Sequence, residues 1–184
     1  MDALARDLAG LLGERKVLSG PAAERAYDCD AYTVDRSRPA AVVLPEDTDE
    51  VAAVVRYCNQ RSVPFTARGA GTGLSGGVLP ALGGVVVSTK RLTKVLEIDL
   101  ENRCLLAQTG ITNVAITAAV KEHGLHFAPD PSSQTVATLG GNIGENAGGP
   151  HTLKYGVTTQ HVLGVKMVEP GGEVVSFGGK VPGA

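Results

Sequence analysis

The chain has 184 residues, 43% of them hydrophobic, with 24 glycines, no tryptophan and a formal net charge of −2. This length is typical of one domain with a sizeable core, and the slight acidic excess argues against nucleic acids and anionic membrane surfaces as partners. The N-terminus carries Asp2 and Asp7 where a secretion signal would be positively charged, and no apolar run approaches the roughly 18 residues of a membrane span, so we expect a cytoplasmic protein without a membrane span.

The first part of the chain predicts two helices and a loop. Leucines spaced at i, i+4, i+7 and i+8 predict an amphipathic helix over the first dozen residues, and Gly13 can end it. Ser19-Gly20-Pro21 places proline at the start of a shorter helix that reaches about Tyr27. The polar stretch YDCDAYTVDRSRP, residues 27–39, predicts a loop. We therefore interpret residues 1–38 as an N-terminal helical segment.

Strands and helices then alternate. Ala40 to Leu44 predicts a short buried strand. Asp47 to Glu50 predicts the capped start of a helix whose apolar stripe runs to about Arg61. The next predicted strand covers Val63 to Ala67, so a glycine-rich stretch begins directly at its end.

The rest of the chain adds strands and one clear helix. Three strands are predicted at residues 85–87, 95–98 and 104–108. A helix begins at Thr112 or Asn113 and reaches about His123, where Gly124 can end it. Residues 164–168 and 173–177 flank Pro170-Gly171-Gly172 and predict a hairpin. This order predicts an α+β protein, with a small parallel α/β subdomain followed by a larger mixed sheet.

The first glycine-rich cluster is RGAGTGLSGG, residues 68–77. Successive glycines let several backbone N–H groups converge on one small volume, which can bind phosphate oxygens without a formal charge. One cation and two hydroxyls add further donors. The predicted contacts are Arg68, Gly69, Ala70, Gly71, Thr72, Gly73, Ser75, Gly76 and Gly77.

Two familiar nucleotide motifs are excluded for this cluster. The P-loop requires a lysine directly after its last glycine, and the first lysine that follows is Lys90. Starting from Gly69 and Gly71, the Rossmann fingerprint G-x-G-x-x-G lacks its third glycine. The sequence from Gly76 to Pro80 also cannot open the helix that this fingerprint needs. The loop must therefore bind phosphate through its own amides.

The second cluster is PDPSSQTVATLGGNIGENAGG, residues 129–149. It combines stiffening prolines, hydroxyls, amide side chains and glycines that allow a close backbone approach. Two such clusters imply a long ligand, and a dinucleotide fits; tight surface turns are the alternative. The predicted contacts are Pro131, Ser132, Ser133, Thr138, Gly140, Gly141, Asn142, Gly144, Asn146, Gly148 and Gly149.

These motifs resemble a known family. RGAGTGLSGG, APDPSSQ, GGNIGENAGG and HTLKYGVTT are similar to segments of the FAD-linked oxidases of the vanillyl-alcohol oxidase and p-cresol methylhydroxylase type, and most of all to the glycolate oxidase D subunit and D-2-hydroxyacid dehydrogenases. The resemblance implies a p-cresol methylhydroxylase-type FAD-binding fold over residues 39–184. It also implies a fold incomplete at the C-terminus, without the cap and C-terminal parts.

The resemblance implies FAD as the cofactor. Residues 68–77 would wrap its pyrophosphate, and residues 131–133 and 138–149 would line the rest of it toward the flavin ring. One branch of the superfamily binds flavin covalently through a histidine at the position of Thr72, so we expect noncovalent FAD. His151, Lys154 and Tyr155 match a segment that follows the ring-side glycines, and they lie either near the active site or in local packing.

The resemblance also implies the chemistry. A small 2-hydroxy acid would be oxidised to the 2-oxo acid by hydride transfer to FAD, and the electrons would leave to an iron–sulfur partner subunit or a quinone. No residue of the chain forms a convincing catalytic group or metal site, so we expect the chain alone to be inactive. Two alternatives stay open: a noncatalytic module that binds a nucleotide or a partner chain, and an NADPH-dependent flavin reductase of the same fold.

Overall fold

The computed structural model describes residues 2–180, which form two compact units. The first comprises residues 2–91 with 167–175, and the second comprises residues 92–166 with 176–180. Helices and strands are both present in each, so the predicted α+β class is confirmed. The division at residue 38 stays a prediction, and residues 181–184, the end of the predicted domain, lie outside the described residues.

A four-stranded sheet forms the centre of the first unit, in the order β1-β2-β4-β3. Its strands are β1 (Val17–Leu18), β2 (Ala41–Val43), β3 (Phe65–Arg68) and β4 (Val85–Ser88). β4 pairs in parallel with β2 and with β3, and β1 adds an antiparallel edge. The predicted small parallel α/β subdomain is thereby confirmed. The sequence did not predict β1, because a two-residue strand carries no periodic signal and exists through its pairing with β2.

Three helices belong to the same unit: α1 (Ala3–Leu12), α2 (Pro21–Ala26) and α3 (Thr48–Gln60). Asp2 caps α1 by accepting from the Ala5 N–H at 2.8 Å, and Asp47 caps α3 by accepting from the Glu50 N–H at 2.9 Å. α1 and α3 contribute to one core with the sheet, in which Leu8 is fully buried. Burying one such leucine contributes about 1.5–3 kcal/mol. The two predicted helices, the stop of α1 at Gly13 and the predicted cap-rich start of α3 are confirmed. The Asp2 cap was not predicted, and Leu11, which belongs to the predicted stripe of α1, is 43% exposed.

The later strands form pairs. β5 (Val95–Asp99) pairs antiparallel with β6 (Cys104–Ala107), and β7 (Gly164–Val168) pairs with β8 (Val174–Gly178) around the predicted hairpin turn. The sequence predicted a larger mixed sheet in this part of the chain. Residues 2–180 contain two separate two-stranded sheets in its place. The reason is that each pair is joined by a short turn, and a short turn returns the chain beside the strand it has just left.

Three helices belong to the second unit: α4 (Asn113–Val120), α5 (Leu139–Glu145) and α6 (Thr152–Tyr155). α4 continues as a 3₁₀ turn to His123 and stops at Gly124, as predicted. α5 was not predicted, because its sequence, LGGNIGE, contains three glycines and each disfavours a helix by about 1 kcal/mol. None of the helices in residues 2–180 combines the length and the apolar character needed to cross a membrane.

Candidate functional site

The first glycine-rich cluster is an irregular loop that leaves the carboxyl end of β3. Gly71 and Gly76 both have φ of +75°, a conformation that side-chain-bearing residues rarely adopt. Gly71, Gly73 and Gly76 do meet the spacing G-x-G-x-x-G, in a match that begins at Gly71 and not at Gly69, where the sequence was tested. The segment between Gly76 and β4 contains no helix, and this missing helix alone excludes the Rossmann motif.

Part of this loop presents backbone donors without acceptors. Among residues 2–180, no protein group accepts a hydrogen bond from the amides of Ala70, Gly71, Thr72 and Gly73. The Gly76 amide, in contrast, donates to the carboxylate of Asp30 at 2.8 Å. Consecutive amides in a loop of partly exposed residues can bind an oxyanion. The loop can therefore take phosphate through the amides of residues 70–73, whereas that of Gly76 is already used.

Arg68 points into the protein. Its side chain is buried, Nη1 donates to the Cys29 carbonyl at 2.9 Å, and its guanidinium lies 5.4 Å from the centre of the Tyr27 ring. Burial lowers the pKa of this guanidinium, which nevertheless stays charged at neutral pH. A Cβ on Gly71 would lie within 2.2–3.1 Å of the guanidinium atoms, so Gly71 makes room for Arg68. A contact between Arg68 and a cofactor stays a prediction.

The sequence missed the residues that hold this loop. They lie in the predicted irregular stretch 27–39, where Asp30 is 6% exposed and accepts from the Gly76 and Tyr32 amides. The Gly76 bond is the largest cause that lowers the pKa of Asp30. Asp28 is also buried and pairs with Arg36 at 2.9 Å. Nothing in this polar stretch signals buried carboxylates, because aspartate is usually exposed, and nothing in the sequence identifies their partners.

The second cluster is built around α5. Thr138 caps the helix, accepting from the Gly141 amide at 3.2 Å. Asn142 is 3% exposed, and its Nδ2 donates to Oδ1 of Asn113 at 2.6 Å, while Asn113 donates in turn to the Pro129 carbonyl at 2.8 Å. This buried chain of amides ties α5 to α4 and to the start of the cluster. Thr138 and Asn142 thus hold the cluster together, and their contacts with a cofactor stay predictions.

Two glycines of this cluster are explained by contacts within the protein. A Cβ on Gly140 would lie 2.8 Å from Cβ of Thr109, and one on Gly149 would lie 2.0 Å from the Asp130 carbonyl oxygen. Both glycines are therefore required for packing within the protein, and a close approach of a cofactor to them stays a prediction. At Gly144, in contrast, no atom of residues 2–180 lies within 4 Å of the position that a Cβ would take.

The segment after the second cluster gathers aromatic and titratable side chains. Nδ1 of His151 contacts the carboxylate of Asp130, and the bond is the largest cause that lowers the pKa of Asp130. The Tyr155 ring lies 5.8 Å from the His126 ring and 6.4 Å from the His151 ring, and Nζ of Lys154 lies 4.9 Å from it. The predicted trio of His151, Lys154 and Tyr155 is thus brought together, and its role near an active site stays a prediction.

The remaining predicted contacts of the second cluster differ in exposure. Ser132, Gly144 and Asn146 are exposed, while Ser133 and Gly148 are half-buried. Asn146 has φ of +50° and ends α5 in the left-handed conformation. Oδ1 of Asn146 already accepts from the Thr159 amide at 3.1 Å, and a Cβ on Gly148 would lie 2.6 Å from Oγ1 of Thr152. None of the cofactor contacts predicted for these residues is tested by the structure.

Comparison with known proteins identifies what the chain is similar to. A family model described as an FAD binding domain matches residues 39–178. The glycolate oxidase subunit GlcD of Escherichia coli (strain K12) is 44% identical over 152 residues, which are 83% of this chain and 30% of that protein. A D-lactate dehydrogenase of Archaeoglobus fulgidus is 40% identical over 160 residues, 82% of this chain and 36% of that protein. The chain thus spans about a third of the length of these relatives.

One solved structure supports the fold. The structure of p-cresol methylhydroxylase with substrate bound superposes with a TM-score of 0.79 at 24% identity, over 98% of this chain and 36% of that chain. At this identity the likeness concerns the fold alone. The predicted p-cresol methylhydroxylase-type FAD-binding fold is confirmed.

Proposed function

Because this chain belongs to the family of FAD-binding domains, we propose that it binds FAD noncovalently, as the flavin domain of an enzyme that oxidises a small 2-hydroxy acid to the 2-oxo acid. The observation that carries the proposal is the run of amides at the end of β3 that have no acceptor in the described part of the chain. Bound FAD would supply the hydride acceptor for such an oxidation.

The loop at the end of β3 suits a pyrophosphate. The amides of residues 70–73 are free to donate within the described part of the chain, and Thr72 adds a hydroxyl. Several backbone N–H groups that converge form a concavity that binds an anion such as a phosphate oxygen. The positive φ of Gly71 turns the chain within this run. These four residues would hold the phosphates, and Arg68 would support the loop from behind.

The second cluster would provide the remaining contacts. Ser132, Ser133, Gly144, Asn146 and Gly148 are exposed or half-buried and offer hydroxyls, a side-chain amide and bare backbone. The buried pair Asn142 and Asn113 would keep this surface rigid, since each of their amide groups bonds within the protein. Rigid donors bind with a smaller entropy cost than mobile ones.

The substrate class follows from the relatives. The two relatives are named as a glycolate oxidase subunit and a D-lactate dehydrogenase, and glycolate and D-lactate are both 2-hydroxy acids. By the resemblance, Thr72 stands where one covalently flavinylated branch of the superfamily carries histidine, which supports dissociable FAD. We propose that the electrons pass on to an iron–sulfur partner subunit or a quinone.

Flavin content and reduction test the proposal. The purified protein should absorb near 450 nm, release its flavin on acid precipitation, and rebind added FAD. Under anaerobic conditions, glycolate or D-lactate should bleach the flavin-loaded protein, with L-lactate and NADPH as comparisons. Flavin that stays with the precipitate would contradict noncovalent binding, and bleaching by NADPH alone would favour a reductase. Absence of FAD binding by folded protein would refute the proposal.

A further inference from the structure

We propose that Asp30 is a positioning residue for the FAD phosphates: its carboxylate holds the loop of residues 68–77 in the shape in which the free amides can bind. The inference rests on the proposed function, since FAD is taken as the ligand of this loop. Asp30 itself would touch no ligand. It lies in residues 27–32, which we name the clamp segment.

Both carboxylate oxygens of Asp30 are engaged by backbone. Oδ2 accepts from the Gly76 amide at 2.8 Å and Oδ1 accepts from the Tyr32 amide at 2.9 Å. The residue is only 6% exposed, and the Gly76 bond helps to keep its pKa below the ordinary value, so Asp30 is charged at neutral pH. Hydrogen bonds to an ionised acceptor are roughly twice as strong as neutral ones. The carboxylate of Asp30 therefore links Gly76, near the end of the loop, to the turn formed by Asp30 and Tyr32.

The clamp segment holds the loop at two further points. Nη1 of Arg68 donates to the Cys29 carbonyl at 2.9 Å, and the Ala31 amide donates to the Gly73 carbonyl at 3.2 Å. The loop is thus tied at its start, middle and end, at Arg68, Gly73 and Gly76. The four consecutive amides of residues 70–73, which have no acceptor among residues 2–180, lie between the first two ties.

Such ties matter because this loop is rich in glycine. Each glycine that becomes ordered loses more conformational entropy than any other residue, and a loop that orders only when a ligand binds lowers the affinity by that amount. When the loop is held in the folded protein, this cost falls on folding and FAD binds more tightly. Removing the Asp30 anchor would return part of the cost to the binding step.

The sign of the effect separates this role from simple electrostatics. Removing a negative charge near a phosphate site strengthens binding by Coulomb's law alone, whereas loss of the clamp weakens it. Asp35 provides the matched control. It lines the same shallow depression as Asp30, it is exposed, and within residues 2–180 its carboxylate makes no hydrogen bond or ion pair.

The experiment titrates flavin-free protein with FAD and follows flavin fluorescence for the wild type and for Asp30→Asn, Asp30→Ala and Asp35→Asn. Asparagine offers one acceptor oxygen, so it can keep only one of the two bonds. We expect FAD to bind Asp30→Asn about tenfold more weakly than wild type, as for loss of one charge-assisted bond, and Asp30→Ala at least as weakly. Asp35→Asn should bind unchanged or more tightly. Folded Asp30→Asn that binds FAD as tightly as wild type would overturn the proposal.

Hydrogen exchange on the wild type tests the clamp without any substitution. In flavin-free protein the Gly76 amide should be protected, while the amides of residues 70–73 should exchange fast and become protected when FAD is added. Exchange of the Gly76 amide as fast as that of residues 70–73 would overturn the clamp, even if the aspartate variants fail to fold. Failure of the wild type to bind FAD would instead refute the proposed function, and protection of Gly76 would still report on the clamp.

Discussion

Helix α5 offers a test in which two substitutions of the same kind should act in opposite directions. Gly140 and Gly144 lie in the same seven-residue helix, one turn apart, and both have ordinary helical backbone rather than positive φ. Alanine is favoured over glycine within a helix by about 1 kcal/mol. Helix propensity alone therefore predicts that Gly140→Ala and Gly144→Ala both stabilise the protein.

Packing reverses the expected result at Gly140. The new Cβ would lie 2.8 Å from Cβ and 3.2 Å from the carbonyl oxygen of Thr109. Thr109 cannot withdraw freely, because its carbonyl accepts from the Gly140 amide at 2.7 Å. Overpacking of this kind costs about 1–3 kcal/mol. After the gain in propensity, we expect Gly140→Ala to lower the free energy of unfolding by about 1 kcal/mol.

Gly144→Ala is the control, because nothing lies within 4 Å of its new Cβ. We expect it to raise the free energy of unfolding by about 0.5–1 kcal/mol. Urea denaturation of flavin-free protein followed by circular dichroism measures both changes. The two variants should differ by about 2 kcal/mol, or roughly 4–8 °C in melting temperature. Equal stabilisation by both alanines would show that Thr109 does not constrain α5 and would refute the reasoning.

Two further predictions concern buried polar and thiol groups. Oγ of Ser88 is buried and has no hydrogen-bond partner among residues 2–180. Ser88→Ala should therefore raise the melting temperature by roughly 2–4 °C, because it removes about 1 kcal/mol of desolvation cost. A large loss of stability in flavin-free protein would show that the hydroxyl has a partner. Burial raises the pKa of the Cys58 thiol to about 11. Iodoacetamide at pH 8 should therefore label Cys29 and Cys104, which are half-buried, well before Cys58, and peptide mass spectrometry that finds Cys58 labelled first would contradict this.

The sequence predicted those parts of the fold whose signals are local. The leucine spacing predicted α1, which buries Leu8, and the cap-rich start at Asp47 with its apolar stripe predicted α3, which buries Val54. Each of these signals lies within a few turns of chain. α5 was missed for the opposite reason. Its glycines disfavour a helix, and it forms through the Thr138 cap and the buried bond from Asn142 to Asn113, a residue 29 positions away.

The same difference between local signals and contacts of distant residues applies to the candidate site. The glycine pattern of residues 68–77 predicted an irregular loop of amide donors with no helix directly behind it, because φ preferences and amide donors are properties of the local chain. That this loop binds phosphate stays a prediction. The direction of Arg68 and the use of the Gly76 amide were not predictable. Both depend on the clamp segment, whose partners lie 39 and 46 positions away in the chain.

Composition, caps, stripes and motifs thus determined the class of fold, its family resemblance and the dinucleotide expectation. Only the tertiary structure decided which of the predicted donors are free and which are already bonded within the protein. The physical reason is that a buried polar group bonds to whichever partner lies beside it in the folded protein. No local sequence pattern indicates which distant carboxylate, carbonyl or amide that partner will be.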